Sequence, residues 1–271
     1  MKKILIIKLG ALGDMIFSEG AICDIKNHHK NDEITLLTSP FFGRLFASYP
    51  GIDRIEIDHR RPRWDIMYLF NLIRKLRRHR YDMVYDLQNN NRTNLYHKLL
   101  QPIAWCGKAS FASHHYTQNS SPDQSRHDYL EAQLQLANIP THFCKKPNWL
   151  WLKQPVSHLL ASFNIKHPFI LLIPGCSKRH PEKRWPGYNQ LAAQLQSLGH
   201  TVVCAPGPDE MDLINTFPGI CLLDNHKPLS IPQLIGLSQH TSLVIGNDSG
   251  PTHLLACCQT KGIALFHNPL Y

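Results

Sequence analysis

Val244-Ile245-Gly246-Asn247-Asp248-Ser249-Gly250-Pro251-Thr252-His253 is a short apolar run that passes through a polar, glycine-containing turn into a helix start. Asp248 or Ser249 is placed to cap that helix, and Pro251 suits its first turn. The amides around Ser249 and Gly250 then lie at the positive end of the helix dipole, where an anion is stabilised. Taken alone, the ten residues equally describe an ordinary strand-turn-helix joint. The rest of the chain repeats the pattern.

Working outward, β-rich runs alternate with helical periodicity. The first series predicts strands at 3–7, 34–38, 54–57, 83–87 and 103–107, with helices at 15–26, 41–49, 66–80, 91–100 and 127–137. The polar stretch 113–125 reads as a loop, and the proline-bearing stretch 140–166 as a crossover between domains. A second series follows, with strands at 169–173, 201–205, 220–223, 243–245 and 262–265 and helices at 188–198, 210–217, 231–238 and 252–258. This is α/β organisation. At 271 residues the chain exceeds the usual size of one domain. The expectation is a pair of Rossmann-like domains, 1–160 and 161–271, facing each other across a cleft, with ligands at the carboxyl ends of the strands.

Composition narrows the function classes. Hydrophobic residues at 43% and charged residues at 18% are ordinary for a soluble domain, and no apolar run approaches the ~20 residues of a membrane span. The apolar run Ile4-Leu5-Ile6-Ile7 is interrupted by Lys8 and is too short for a signal peptide, so the expected location is cytoplasmic. Eight cysteines without a CxxC pair read as reduced thiols, and the 17 histidines show no metal-ligand spacing. The net charge of +9 is concentrated in Arg60-Arg61-Pro62-Arg63 and Arg74-Lys75-Leu76-Arg77-Arg78-His79-Arg80, which favours anionic partners. No nucleic-acid module accompanies these runs and aromatics are not interleaved with them, so an anionic lipid surface fits at least as well.

Three further segments sit at predicted strand ends. Lys8-Leu9-Gly10-Ala11-Leu12-Gly13-Asp14 lacks the glycine spacing of a dinucleotide fingerprint and ends in a carboxylate that would repel phosphate. Asp14 is either a helix cap or an exposed base. Residues 174–186 join strand to helix through a strongly basic loop containing Lys178, Arg179 and Lys183, where a lysine can reach a phosphate. Gly207-Pro208-Asp209-Glu210 places Glu210 at a helix start, able to accept from ribose hydroxyls or simply to cap. Together they describe a nucleotide-diphosphate site in the second domain.

These motifs, in order, resemble glycosyltransferase family 9, the ADP-heptose lipopolysaccharide heptosyltransferases. The resemblance rests on residues 8–14, Asp86-Leu87-Gln88 followed by Arg92, residues 127–140, Lys183-Arg184-Trp185-Pro186, residues 207–210, and Asp248-Ser249-Gly250 with His253. It implies a GT-B fold and transfer of heptose from ADP-heptose to the lipopolysaccharide inner core with inversion, without metal or further cofactor. It also implies Asp14 as general base, and Lys183 with the Ser249 and Gly250 amides on the pyrophosphate. Glu210 would hold the ribose and Asp248 the heptose hydroxyls, with His253 orienting the phosphate loop. Lys8, Gln88 and Arg92 would lie on the acceptor side, and the enzyme would be peripheral at the inner membrane.

The chain departs from the family pattern at its end, Phe266-His267-Asn268-Pro269-Leu270-Tyr271, where family members continue. The expectation is an incomplete second domain with exposed apolar surface and a tendency to self-associate. A nucleotide-sugar-binding pseudoenzyme is the alternative reading. A dinucleotide oxidoreductase is the weaker rival, because the fingerprint is lacking.

Overall fold

Ile4, Leu5, Ile6 and Ile7 of β1 (Lys3–Ile7) have no solvent exposure, the signature of a parallel strand covered on both faces. In the computed structural model, which describes residues 1–117, 125–177 and 180–267, this strand lies at the centre of a six-stranded sheet. The chain runs from β1 through α1 (Leu12–His28), β2 (Glu33–Thr38), α2 (Pro40–Phe46), β3 (Arg54–Ile57) and α3 (Ile66–Arg77). It continues through β4 (Met83–Asp86), α4 (Asn91–Leu100), β5 (Ala104–Gly107), β6 (His114–His115) and α5 (Arg126–Leu136). The sheet order is β3-β2-β1-β4-β5-β6. Alternation along the strands sends Leu5, Ile7 and Val84 to one face, where Leu72, Ile73 and Leu76 of α3 and Tyr96 and Leu100 of α4 cover them.

A second sheet follows α6 (Ser157–Ser162). It comprises β7 (Phe169–Ile173), α7 (Tyr188–Ser197), β8 (Thr201–Cys204), β9 (Ile220–Cys221), α8 (Ile231–Ser238), β10 (Thr241–Asn247), α9 (Gly250–Ala256) and β11 (Gly262–Leu265). Its order is β11-β10-β7-β8-β9, the same winding as the first five strands of the other sheet. All pairings between these strands, in both sheets, are parallel. Phe169, Leu171 and Ile173 pack with Val156, Leu159, Leu160 and Leu237, while Ile170 and Leu172 face Tyr188 and Ala192 on the other side.

Contacts divide the chain into two units, Met1–Pro147 and Asn148–Tyr271, rather than at the expected 160/161. The reason is packing: α6 lies within the stretch read as a crossover, and its leucines belong to the second core. Three other expectations change. The helix expected at 15–26 begins at Leu12, so Asp14 lies inside its first turn. In the stretch 113–125, read as loop, residues 114 and 115 form β6, while 118–124 lie outside the described residues. The helix expected at 210–217 is a 3-10 turn, Met211–Asn215.

β11 is an edge strand of the second sheet, with Ile263 51% and the following Phe266 48% exposed. None of the eight cysteines forms a disulfide. Among the described residues, no helix is long and apolar enough to cross a membrane. Lys178, Arg179 and the stretch 268–271 lie outside the described residues.

Candidate active site

In each sheet the strand order reverses direction between two central strands, β1 and β4 in the first and β7 and β10 in the second. Helices leave opposite sides of the sheet at such a switch point, opening a crevice at the strand carboxyl ends where α/β proteins bind ligands. The residues singled out from sequence follow these four strands.

In the first unit the crevice is a polar cavity of about 410 Å³, lined among others by Lys8, Asp14, Gln88, Asn89, Lys108 and Arg126. The turn that brings Asp14 there requires glycine. Gly10 has φ +124° and a Cβ on it would lie 2.9 Å from the Phe42 ring. Asp14 follows in the first turn of α1, makes no capping bond for that helix, and pairs through Oδ1 with Nη1 of Arg126 at 3.0 Å.

Behind this pair sit two buried charges. Lys8 is 4% exposed and its Nζ donates to the Leu87 carbonyl at 2.9 Å, so it braces the end of β4 from the inner wall of the cavity. Burial lowers its pKa to about 8, against the attraction of Asp14. Asp86 is fully buried, and burial raises its pKa to about 6 although the amides of Asn89 and Gln88 donate to it. Gln88 accepts from the Leu9 amide at 2.8 Å, which ties the loop after β4 to the loop after β1.

Arg92 does not join this group. Its Nε and Nη2 grip both oxygens of Asp58 at 2.7 Å, and Nη1 donates to the Arg61 carbonyl at 2.7 Å. Tyr96 donates its hydroxyl to Asp58 at 2.6 Å. The arginine expected on the acceptor side is thus a structural partner of a buried carboxylate. Sequence reading missed two cavity cations, Lys108 and Arg126. For Arg126 a signal was available: it stands at the first position of α5, where a cation opposes the helix dipole.

In the second unit, Asn247 at the end of β10 is buried and stitches the crevice together. Its Nδ2 donates to the Pro174 carbonyl at 2.7 Å, and its Oδ1 accepts from the Trp185 amide at 3.2 Å and the Tyr188 hydroxyl at 3.1 Å. Asp248 follows, its two oxygens held by the Lys183 ammonium and by Nε2 of His253 at 2.8 Å. Burial pushes its pKa up, but these two partners outweigh that and hold it below the usual carboxylate value. Asp248 is therefore committed to these two side chains instead of capping α9. Ser249 is the N-cap residue, yet its hydroxyl meets Thr252 Oγ1 at 3.2 Å and makes no capping bond to the backbone. Sequence reading gathered Lys183, Asp248, Ser249, Gly250 and His253, and the structure brings them to one strand end.

Glu210 stands differently from the expected surface ligand. It is 3% exposed, and its carboxylate accepts from Arg184 Nη2 at 2.8 Å and the Gly207 amide at 3.0 Å. A Cβ on Gly175 or Gly207 would fall 2.4 Å or 2.6 Å from Glu210 Oε2. Both glycines leave room for this carboxylate, which supports the loops from within. Burial raises its pKa, opposed chiefly by Arg184. Among the described residues, no group of three or more His, Cys, Asp or Glu is arranged to hold a metal ion.

The sequence profile of glycosyltransferase family 9 (heptosyltransferase) matches residues 69–269. The chain belongs to this family. This family 9 glycosyltransferase is 24% identical to the lipopolysaccharide core heptosyltransferase OpsX of Haemophilus influenzae, over 99% of its own length and 80% of the relative's. A solved family 9 glycosyl transferase from Veillonella parvula superposes with a TM-score of 0.78 at 20% identity, covering 98% of this chain and 81% of that one. E. coli heptosyltransferase WaaC, solved with ADP-2-deoxy-2-fluoro heptose, gives 0.71 at 15% identity, covering 97% and 88%. The two parallel α/β units of the glycosyltransferase thus have the GT-B-like fold of heptosyltransferases.

Proposed function

We propose that this glycosyltransferase moves a heptose from ADP-heptose to the inner core of lipopolysaccharide with inversion at the anomeric carbon. The observation that carries the reading is Asp14, a carboxylate presented to a polar cavity among cationic side chains at the β1/β4 switch point. A base poised there takes the proton of an acceptor hydroxyl as the oxygen attacks the anomeric carbon. The new C–O bond forms while the bond to the β-phosphate breaks, through an oxocarbenium-like state, and the electron pair leaves with ADP.

Negative charge grows on the departing diphosphate. Lys183 and the amides at Ser249 and Gly250 supply the stabilisation, as preorganised donors do where charge develops. Lys183 must exchange Asp248 for phosphate, which frees one Asp248 oxygen for a sugar hydroxyl while His253 keeps the other. On the acceptor side, Arg126 and Lys108 in the cavity wall suit a phosphorylated, acidic sugar core. A phosphate that draws Arg126 toward itself uncovers the Asp14 carboxylate. The acceptor is a lipid, so the reaction belongs at the cytoplasmic face of the inner membrane.

The test is release of ADP from ADP-heptose by the purified chain, with and without a heptose-free lipopolysaccharide acceptor. Acceptor-dependent release, abolished in Asp14→Asn, is the expected result. ADP binding without any acceptor-dependent release would leave a nucleotide-sugar-binding protein and overturn the transferase reading.

A further inference from the structure

Helix α3 presents an exposed ridge that neither crevice uses. At its start Trp64, Ile66, Met67 and Phe70 are 82%, 74%, 70% and 59% exposed, an apolar cluster that a water-facing helix has no reason to carry. One turn further on, Arg74, Arg77 and Arg78, with Arg80 just past the helix, border a groove of about 680 Å³ floored by Leu69, Ile73 and Leu99. Neighbouring charges are spent. Lys75 pairs with Glu56 at 2.5 Å and Arg61 with Asp65 at 3.3 Å, whereas these four arginines make no ion pair among the described residues. Arg74 instead lies over the Phe70 ring at 5.8 Å, its stem continuing the apolar surface.

We propose that this ridge docks the protein onto an anionic phospholipid bilayer, with Ile66, Met67 and Phe70 entering the headgroup boundary and Arg74, Arg77, Arg78 and Arg80 on lipid phosphates. Apolar side chains beside a cluster of unneutralised cations are the combination that an interfacial helix uses on such membranes. A second copy of the chain is the poorer occupant, because a two-fold contact through this patch brings like arginine clusters together. Water-soluble polyanions leave the apolar residues unused. The inference stands apart from the transferase reading, since vesicle binding is measured without turnover.

The experiment is co-sedimentation of the full chain with phosphatidylcholine vesicles, with and without phosphatidylglycerol. Wild type binds only the mixed vesicles. Arg77→Gln/Arg78→Gln/Arg80→Gln weakens that binding about 100-fold, and Met67→Ser/Phe70→Ser about 10-fold or more. The charge-matched control Lys153→Gln/Lys166→Gln/Lys227→Gln, on exposed lysines of the second unit, keeps it within about threefold. Circular dichroism confirms that each variant is folded, and the two α3 variants fail independently of one another. Equal loss in control and α3 triples, no binding to mixed vesicles, or vesicle-free dimerisation that Met67→Ser/Phe70→Ser abolishes would each overturn the proposal.

Discussion

Nη1 of Arg126 lies 3.0 Å from Oδ1 of Asp14, so the carboxylate proposed as base is shared with a side chain that is itself 64% exposed. An ion pair so open to water contributes little to stability. Arg126→Ala is expected to leave the melting temperature nearly unchanged while raising KM for the acceptor. Asp14→Asn should bind ADP as wild type does and turn over about 100-fold more slowly or worse. Wild-type turnover in Asp14→Asn would remove Asp14 from the mechanism.

Lys183 and Asp248 hold each other in the second unit, and the donor diphosphate is proposed to take the lysine. Lys183→Ala is expected to weaken ADP binding by about 1.5 to 3 kcal/mol, the usual worth of a hydrogen bond to a charged group. Titration calorimetry measures this directly. Unchanged affinity would place the phosphate on another cation.

Arg92 and Asp58 give a stability prediction. Asp58 is fully buried, and removing its bidentate partner leaves the carboxylate without a counter-charge, so Arg92→Ala should cost about 3 to 5 kcal/mol in urea unfolding. The sign of its pH dependence follows from Asp58. Burial alone would raise its pKa, but hydrogen bonds from Arg92 and Tyr96 outweigh burial and hold it below the ordinary value. The stabilisation is then fully present above the unfolded pKa of about 4 and is lost as pH falls through the lower folded value. The gap between wild type and variant should therefore shrink in acid. A gap that widens below pH 4 would contradict the assignment.

Asp86 behaves in the opposite sense. Its folded pKa, raised by burial to about 6, exceeds that of the unfolded chain. Between about pH 4 and 6 the unfolded state gives up this proton first, so the group disfavours folding increasingly across that window and steadily above it. Carbon-13 NMR of the carboxyl groups should show one aspartate titrating near pH 6, absent in Asp86→Asn. Loss of no such resonance in the variant would show that the buried acid ionises normally.

Much of this was readable in the residues because periodicity is a local property. The alternation of apolar runs with helical patterns placed nearly all the strands within a few residues, and the polar turns following β1, β4, β7 and β10 marked the right ends of them. What escaped depends on tertiary partners. Arg92 read as a ligand through the family resemblance and Glu210 through its place at a strand-end turn, yet Asp58 and Arg184, far off in sequence, pair with their side chains. Arg126 went unnoticed because its partner, Asp14, is more than a hundred residues away. Helix α6 is only six residues long, too short for its pattern to stand out among prolines.

The parallel pairing of both sheets has a consequence in time. Ile4 of β1 registers with Met83 of β4, and Phe169 of β7 with Thr241 of β10, so each sheet is completed at its centre by chain that arrives long after its first strand. Loops of that length must close before the pairing rewards them, and until then β1 and β7 are apolar ribbons with open edges. Such a chain should refold slowly, lose yield to aggregation as concentration rises, and gain from emerging gradually, its amino-terminal sheet ahead of the other, as it leaves the ribosome.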